Sequence, residues 1–269
     1  MTLSIRVLAL LTTVGGVLLG ACGSSTASIG PTDAASLQNY ASNTDNLTSF
    51  HFSLTENVSS QGQNLAVKAT GVEQVSSSGP NLEMQITSPA LGGTETTIVD
   101  NGVAYLHVPP TQQSPAVSSS KWYEISLPKS GLSSTGPFLG GQSADPLQFA
   151  SILKETSGTV KQLGKHSILG KETLEYSGHV NLKNNLNKLP SNLTTAIKGA
   201  GGLIPSVLSF NVWVDSSGRI RQLNIPVDTS VGNVDLTMDF YHDGTPVTIT
   251  PPPASDTTKV PYSAISGQG

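Results

Sequence analysis

Two long stretches of the chain alternate apolar and polar side chains with a period of two, and nothing else in the sequence constrains the fold as much. Residues 49–58 place Phe50, Phe52 and Leu54 on one side and His51, Ser53 and Thr55 on the other. Residues 64–75 and 81–87 repeat the pattern through Leu65, Val67 and Ala69, then through Leu82, Met84 and Ile86, with Ser- and Gly-rich breaks between them. Successive side chains of a strand point to opposite faces, so such a segment lays one face on a core and turns the other to water. Residues 207–214, 219–228 and 233–241 alternate again, bringing Phe210, Val212 and Val214, then Leu236, Met238 and Phe240, to a common side across turns at 215–218 and near Gly232. Asn101-Gly102, between strand segments 95–100 and 103–108, carries the residue types of a two-residue hairpin turn. Further strands are expected at 122–125, 158–163 and 171–182.

Helical spacing is confined to short pieces. Leu37, Tyr40 and Ala41 follow a cap at Thr32 or Asp33. Asp145-Pro146 supplies a cap and a proline at the first helical position, with Phe149, Ile152 and Leu153 on one face. Residues 186–198 set Leu189, Leu193 and Ile197 on one side and end in glycines. The chain is therefore expected to be mainly β (α+β): a single strongly curved antiparallel sheet of about ten strands, with two or three helices covering its concave face. The alternation fits a solid core and a hollow interior alike.

The N-terminus addresses location. Arg6 precedes an apolar run at 7–19 that is too short and Gly-rich to span a bilayer but has the length of a signal-peptide core. It ends in Leu19-Gly20-Ala21-Cys22, which resembles a bacterial lipobox. That resemblance implies that residues 1–21 are removed as a lipoprotein signal peptide and that Cys22 is acylated, holding the body on the outward face of the cell membrane. Cys22 is the only cysteine, so no intramolecular disulfide stabilises the fold. Residues 22–36 read as a flexible tether, 37–250 as the folded domain, and 251–269 as a Pro-rich start and flexible tail.

Chemistry is sparse. Lys and Arg number 14 against 18 Asp and Glu, a net charge of −4 with no run of either sign, which excludes nucleic acid as a partner. His51, His107, His166, His179 and His242 fall on different segments without metal-ligand spacing, so no metal or cofactor is expected. Ser118, Ser126 and Ser151 each precede a lysine by three residues, yet no accompanying Ser-Asp-Asn or Lys-Thr-Gly element is present. Asp235 and Asp239 share a face opposite Leu236, Met238 and Phe240, the expected solvated side. No catalytic residue emerges, and an enzyme is not expected.

The lipobox, the residue 99–105 hairpin Val-Asp-Asn-Gly-Val-Ala-Tyr, Lys121-Trp122-Tyr123, the Asp145-Pro146 helix and the late Val212-Trp213-Val214-Asp215-Ser216-Ser217-Gly218-Arg219-Ile220 strand-turn-strand together resemble the LppX/LprG-type lipid-carrier lipoproteins of actinobacteria. That family is similar to the periplasmic LolA-like carriers. The resemblance implies a half-barrel sheet whose helices close an apolar cavity for acyl chains, a lipid or glycolipid ligand, an envelope transporter as partner, and carriage of lipids across the cell envelope. The candidate lining comprises Phe50, Phe52, Leu54, Leu82, Met84 and Ile86; Phe149, Ile152, Leu153, Leu189, Leu193 and Ile197; and Phe210, Val212, Val214, Leu236, Met238 and Phe240. The alternative is a non-transporting envelope sensor or assembly module with these side chains packed into a solid core.

Overall fold

The structure is a computed structural model that describes residues 31–32, 34–60, 62–76, 79–109, 122–126, 146–156, 160–189, 194, 198, 205–229 and 232–261. Its strands are β1 (Pro31–Thr32), β2 (Ser49–Ser60), β3 (Gln63–Ser76), β4 (Gly79–Ser88), β5 (Gly93–Asp100), β6 (Val103–His107), β7 (Trp122–Ser126), β8 (Val160–Ile168), β9 (Lys171–Asn181), β10 (Val207–Asp215), β11 (Ile220–Thr229), β12 (Gly232–Tyr241) and β13 (Thr257–Lys259). All thirteen join one sheet in the order β1-β8-β9-β10-β11-β12-β2-β3-β4-β5-β6-β7-β13. Two meanders, β2 to β7 and β8 to β12, are thus stitched together by the β12–β2 pair, in which Phe240 stands opposite Phe52 and Met238 opposite Leu54. The sheet is antiparallel except for its last pair, and it does not close, because β1 and β13 are its two edges.

The helices are short. Helix α1 (Ala34–Asp45) packs against α2 (Pro146–Ser151), the 3-10 turn Ile152–Glu155 that continues α2, and β11. The Lys154 ammonium donates to the Asp45 carboxylate at the end of α1, and Ile220 N–H donates to Thr44 Oγ1 at 3.2 Å, fastening α1 to the start of β11. Leu37 and Ala41 of α1, Phe149, Ile152 and Leu153 of the α2 region, and the apolar face of the sheet form one continuous buried cluster. The mainly β, single-sheet expectation holds, with thirteen strands where about ten were anticipated, the short β1 and β13 among the additions.

Three boundaries differ from the sequence reading. The stretch 22–36 read as tether already carries structure at Pro31–Thr32, which pair with β8, while α1 begins at Ala34, where a helix following Thr32 or Asp33 is expected to begin. Helix α3 is Leu182–Asn185, where a strand end was expected, because the Asn181 side chain accepts from Asn184 N–H at 3.1 Å and caps a helix that the local alternation conceals. The tail expected after the triple proline instead forms a 3-10 turn at Ala254–Asp256 and strand β13, paired in parallel with Trp122–Glu124 of β7.

Candidate functional site

The inner face of the sheet is where the candidate residues meet. Phe50, Phe52, Leu54, Leu82, Met84, Ile86, Phe149, Ile152, Leu153, Leu189, Phe210, Val212, Val214, Leu236, Met238 and Phe240 are all buried and all belong to the same apolar cluster. Cys22, Leu193 and Ile197 lie outside the described residues. Phe50 is the centre of an aromatic group, its ring 6.2 Å from that of Phe52 and 5.9 Å from that of Phe240. The outer face is polar as expected: Asp239 accepts from Ser53 Oγ at 2.8 Å and Gln222 Nε2 at 2.6 Å, while Asp235 accepts from Asn224 Nδ2 at 3.0 Å.

Two phenylalanines lie low on the inner face, and glycine is the reason. A Cβ at Gly71 would stand 2.6 Å from Phe52 Cζ and 2.4 Å from the Glu83 carbonyl oxygen; one at Gly178 would stand 2.6 Å from Phe210 Cζ. Each ring rests across a neighbouring strand where any side chain would hold it off. The registers agree, since Phe52 is opposite Gly71 and Phe210 opposite Gly178.

The sequence reading missed the polar groups set into this apolar wall. Glu56 continues the face of Phe50, Phe52 and Leu54; Glu73 stands opposite Phe50 and Leu82; Glu95 stands opposite Ile86; Thr97 stands opposite Met84. Glu73 and Thr97 are each only 1 % exposed, and Glu56 is buried. Burial pushes the carboxyls of Glu56 and Glu95 above the usual carboxylate range, because desolvation penalises the charged form. The signal was available for two of these acids: counting two onward from Leu54 reaches Glu56, and from Gly71 reaches Glu73.

At one end of the sheet a salt-bridge network closes the β10–β11 turn. An extra residue in β11 between the partners of Trp213 and Val214 places Arg221 in a bulge. Its guanidinium holds Asp215 Oδ2 at 2.6 Å and Asp243 Oδ2 at 2.7 Å. Burial alone would raise the Asp215 carboxyl, but hydrogen bonds from Ser217, Arg221 and the Arg219 backbone N–H outweigh it and hold the group below its ordinary value. The histidines are not all separate: the rings of His51 and His242 meet edge to face at 4.9 Å, and burial followed by the His242 charge lowers the His51 pKa. Among the described residues no group of three or more His, Cys, Asp or Glu could hold a metal ion, and no helix is long and apolar enough to cross a membrane.

The chain is similar to two mycobacterial lipoproteins. LprF from Mycobacterium bovis matches at 15 % identity and a TM-score of 0.45, covering 83 % of this chain and 99 % of that one. Lipoprotein LppX from Mycobacterium tuberculosis matches at 14 % identity and a TM-score of 0.48, over 81 % of this chain and 100 % of that one. A putative outer membrane lipoprotein-sorting protein domain from Vibrio parahaemolyticus matches at 7 % identity and a TM-score of 0.32, over 80 % and 93 %. No family model and no curated protein matches the sequence.

Proposed function

We propose that this chain is a membrane-anchored lipoprotein that holds an acyl-chain lipid, or a lipidated molecule, between the inner face of its sheet and its short helices and carries it across the cell envelope. The observation that carries the reading is the continuity of the apolar face from Phe210 and Val212 of β10, through Met238 and Phe240 of β12 and Phe50 and Phe52 of β2, to Met84 and Ile86 of β4. Acyl chains gain from a long dry wall with few directional contacts, and they need depth above it. The Phe52–Gly71 and Phe210–Gly178 pairs keep two bulky rings flat against the sheet and so preserve that depth. Glu56 and Glu95, with raised pKa values, are suited to donate from the protonated form to ester or hydroxyl oxygens of a headgroup. The chain acts by binding and release, needs no cofactor, and hands its cargo to an envelope transporter.

Native mass spectrometry of the protein purified from its own envelope tests this. The expected spectrum contains a non-covalent adduct of lipid mass, lost on mild activation, and the stripped protein takes up a fluorescent fatty acid. A protein that emerges empty and takes up no lipid overturns the reading.

A further inference from the structure

The β8–β9 hairpin breaks two rules at one residue. Its two-residue turn is Leu169-Gly170, with φ of 49° and 77°, the same geometry as Asn101-Gly102 between β5 and β6, where φ is 49° and 77°. Asparagine adopts the left-handed conformation readily, whereas leucine is a bulky residue that resists it. Burial does not compensate, because Leu169 is 60 % exposed, and Leu163 farther down β8 is 47 % exposed. Neither turn chemistry nor the core calls for leucine there.

Lys165 and Lys171 flank the tip; Lys165 meets Glu172 at 3.0 Å in a pair exposed on both sides, and Lys171 has no ion-pair partner among the described residues. Beside them a groove of about 500 Å³ opens between this tip and the β10–β11 turn, lined by Lys165, Lys171, Thr173, Ser216, Ser217 and Arg221, with Glu172 and Asp215 at its wall. Arg221 is held there by Asp215 and Asp243, and Lys165 by Glu172, so the positive charge that the tip presents is that of Lys171, in a chain whose net charge is −4.

The path of the chain points the same way. Strand β1 runs antiparallel to β8 with Pro31 opposite Lys161 and Thr32 opposite Val160, so the chain enters the sheet from the side of the Leu169 tip. Eight residues, 23–30, lie between Cys22 and Pro31. They reach at most about 30 Å, and the strand from Lys161 to the tip is about 23 Å long.

We propose that the Leu169 hairpin tip is a second, non-covalent membrane contact: Leu169 enters the interface of an anionic bilayer while Lys171 and Lys165 beside it meet its phosphate headgroups. This rests on the acylated Cys22 of the proposed function, which brings the bilayer within range. An exposed apolar tip flanked by two lysines matches the layered chemistry of a membrane surface. Docking there would fix the orientation of the sheet relative to the membrane that supplies its lipid.

The test uses the acylated protein reconstituted in vesicles containing 30 % phosphatidylglycerol, with Leu169→Cys carrying an environment-sensitive dye. Leu65→Cys, near the opposite end of the strands, is the control. The expected result is that the protein floats with the vesicles and that an aqueous quencher reaches the dye at 169 at least about fivefold more slowly than at 65, a protection that K165E/K171E abolishes. Protein that floats with both dyes equally accessible overturns the docking alone. Protein that does not float overturns the anchor, and the docking with it. Protection that follows protein density instead of anionic lipid assigns the tip to a second copy of the chain and also overturns the proposal.

Discussion

Glu56 and Gly178 show how single residues shape the inner face, and each yields a prediction. Glu56 holds its proton to a higher pH in the fold than in the unfolded chain, because burial raises its pKa. The native state therefore binds more protons than the unfolded one above the ordinary carboxylate value of 4.5, and Glu56 makes stability fall as pH rises through that window. Glu56→Gln is expected to flatten this slope, raising the urea midpoint at pH 7.5 while leaving that at pH 4 nearly unchanged; an unaltered slope would show that Glu56 is not the group responsible. Gly178→Ala places a methyl where Phe210 Cζ lies. The ring must lift into the interior, at a cost of about 1–3 kcal/mol by the usual overpacking scale. The same variant is expected to take up less fluorescent fatty acid, since the lifted ring occupies depth meant for the chain, and Gly178→Ala with Phe210→Leu should recover both properties. These residues were half legible. Period-two counting finds Glu56, but equating charge with the outer face sends it to solvent, and the glycine pairing depends on a register that no local pattern contains.

At the scale of elements, the sheet was legible wherever a strand carries its own alternation, as β2, β4, β10 and β12 do. It was not legible where pairing comes from elsewhere in the chain. Strand β13 is Thr-Thr-Lys, with nothing in its composition to announce a strand; it exists because the free edge of β7 accepts it, and Val260 N–H donates to the Glu124 carbonyl at 2.9 Å. Helix α3 was hidden for the opposite reason, since Asn181 reads as a strand residue until its side chain turns to cap. The β10–β11 turn looked like an ordinary Asp-Ser-Ser-Gly connection, yet it anchors a network in which Arg221 is 11 % exposed and Asp243 only 3 %. Removing that arginine leaves two buried carboxylates short of a partner. Arg221→Ala is expected to destabilise the fold by about 3–5 kcal/mol, read as a shift of the urea unfolding midpoint. Asp215, held below its ordinary pKa, adds stability that is complete above the unfolded value and is lost as pH falls through the folded one. The wild type should therefore lose part of its advantage over Arg221→Ala in acid, and a gap independent of pH would remove the network from the explanation.

For the whole molecule, the proposed function requires that a net-acidic body be held at a membrane. A charge of −4 gives no general attraction to an anionic bilayer, so the proposed residence there requires covalent lipid, oriented by an apolar part of the surface such as the Leu169 tip. Each buried methylene contributes roughly 0.8 kcal/mol; one chain holds a protein only marginally, whereas two or more hold it stably. If Leu19-Gly20-Ala21-Cys22 is processed as its resemblance implies, the purified protein will have the intact mass of residues 22–269 plus two or three acyl chains. Mild alkali should remove the ester-linked chains and move the protein from the detergent phase to the aqueous phase, while the fold built from Pro31 onward keeps its β-rich circular dichroism. Release from the membrane and loss of bound cargo are then separable measurements, because the proposed anchor Cys22 lies upstream of β1 and the proposed lipid-binding face lies within the sheet. A mature chain that starts elsewhere, or that lacks the acyl mass, leaves the body without a means of staying at the membrane and removes the basis for the Leu169 docking as well.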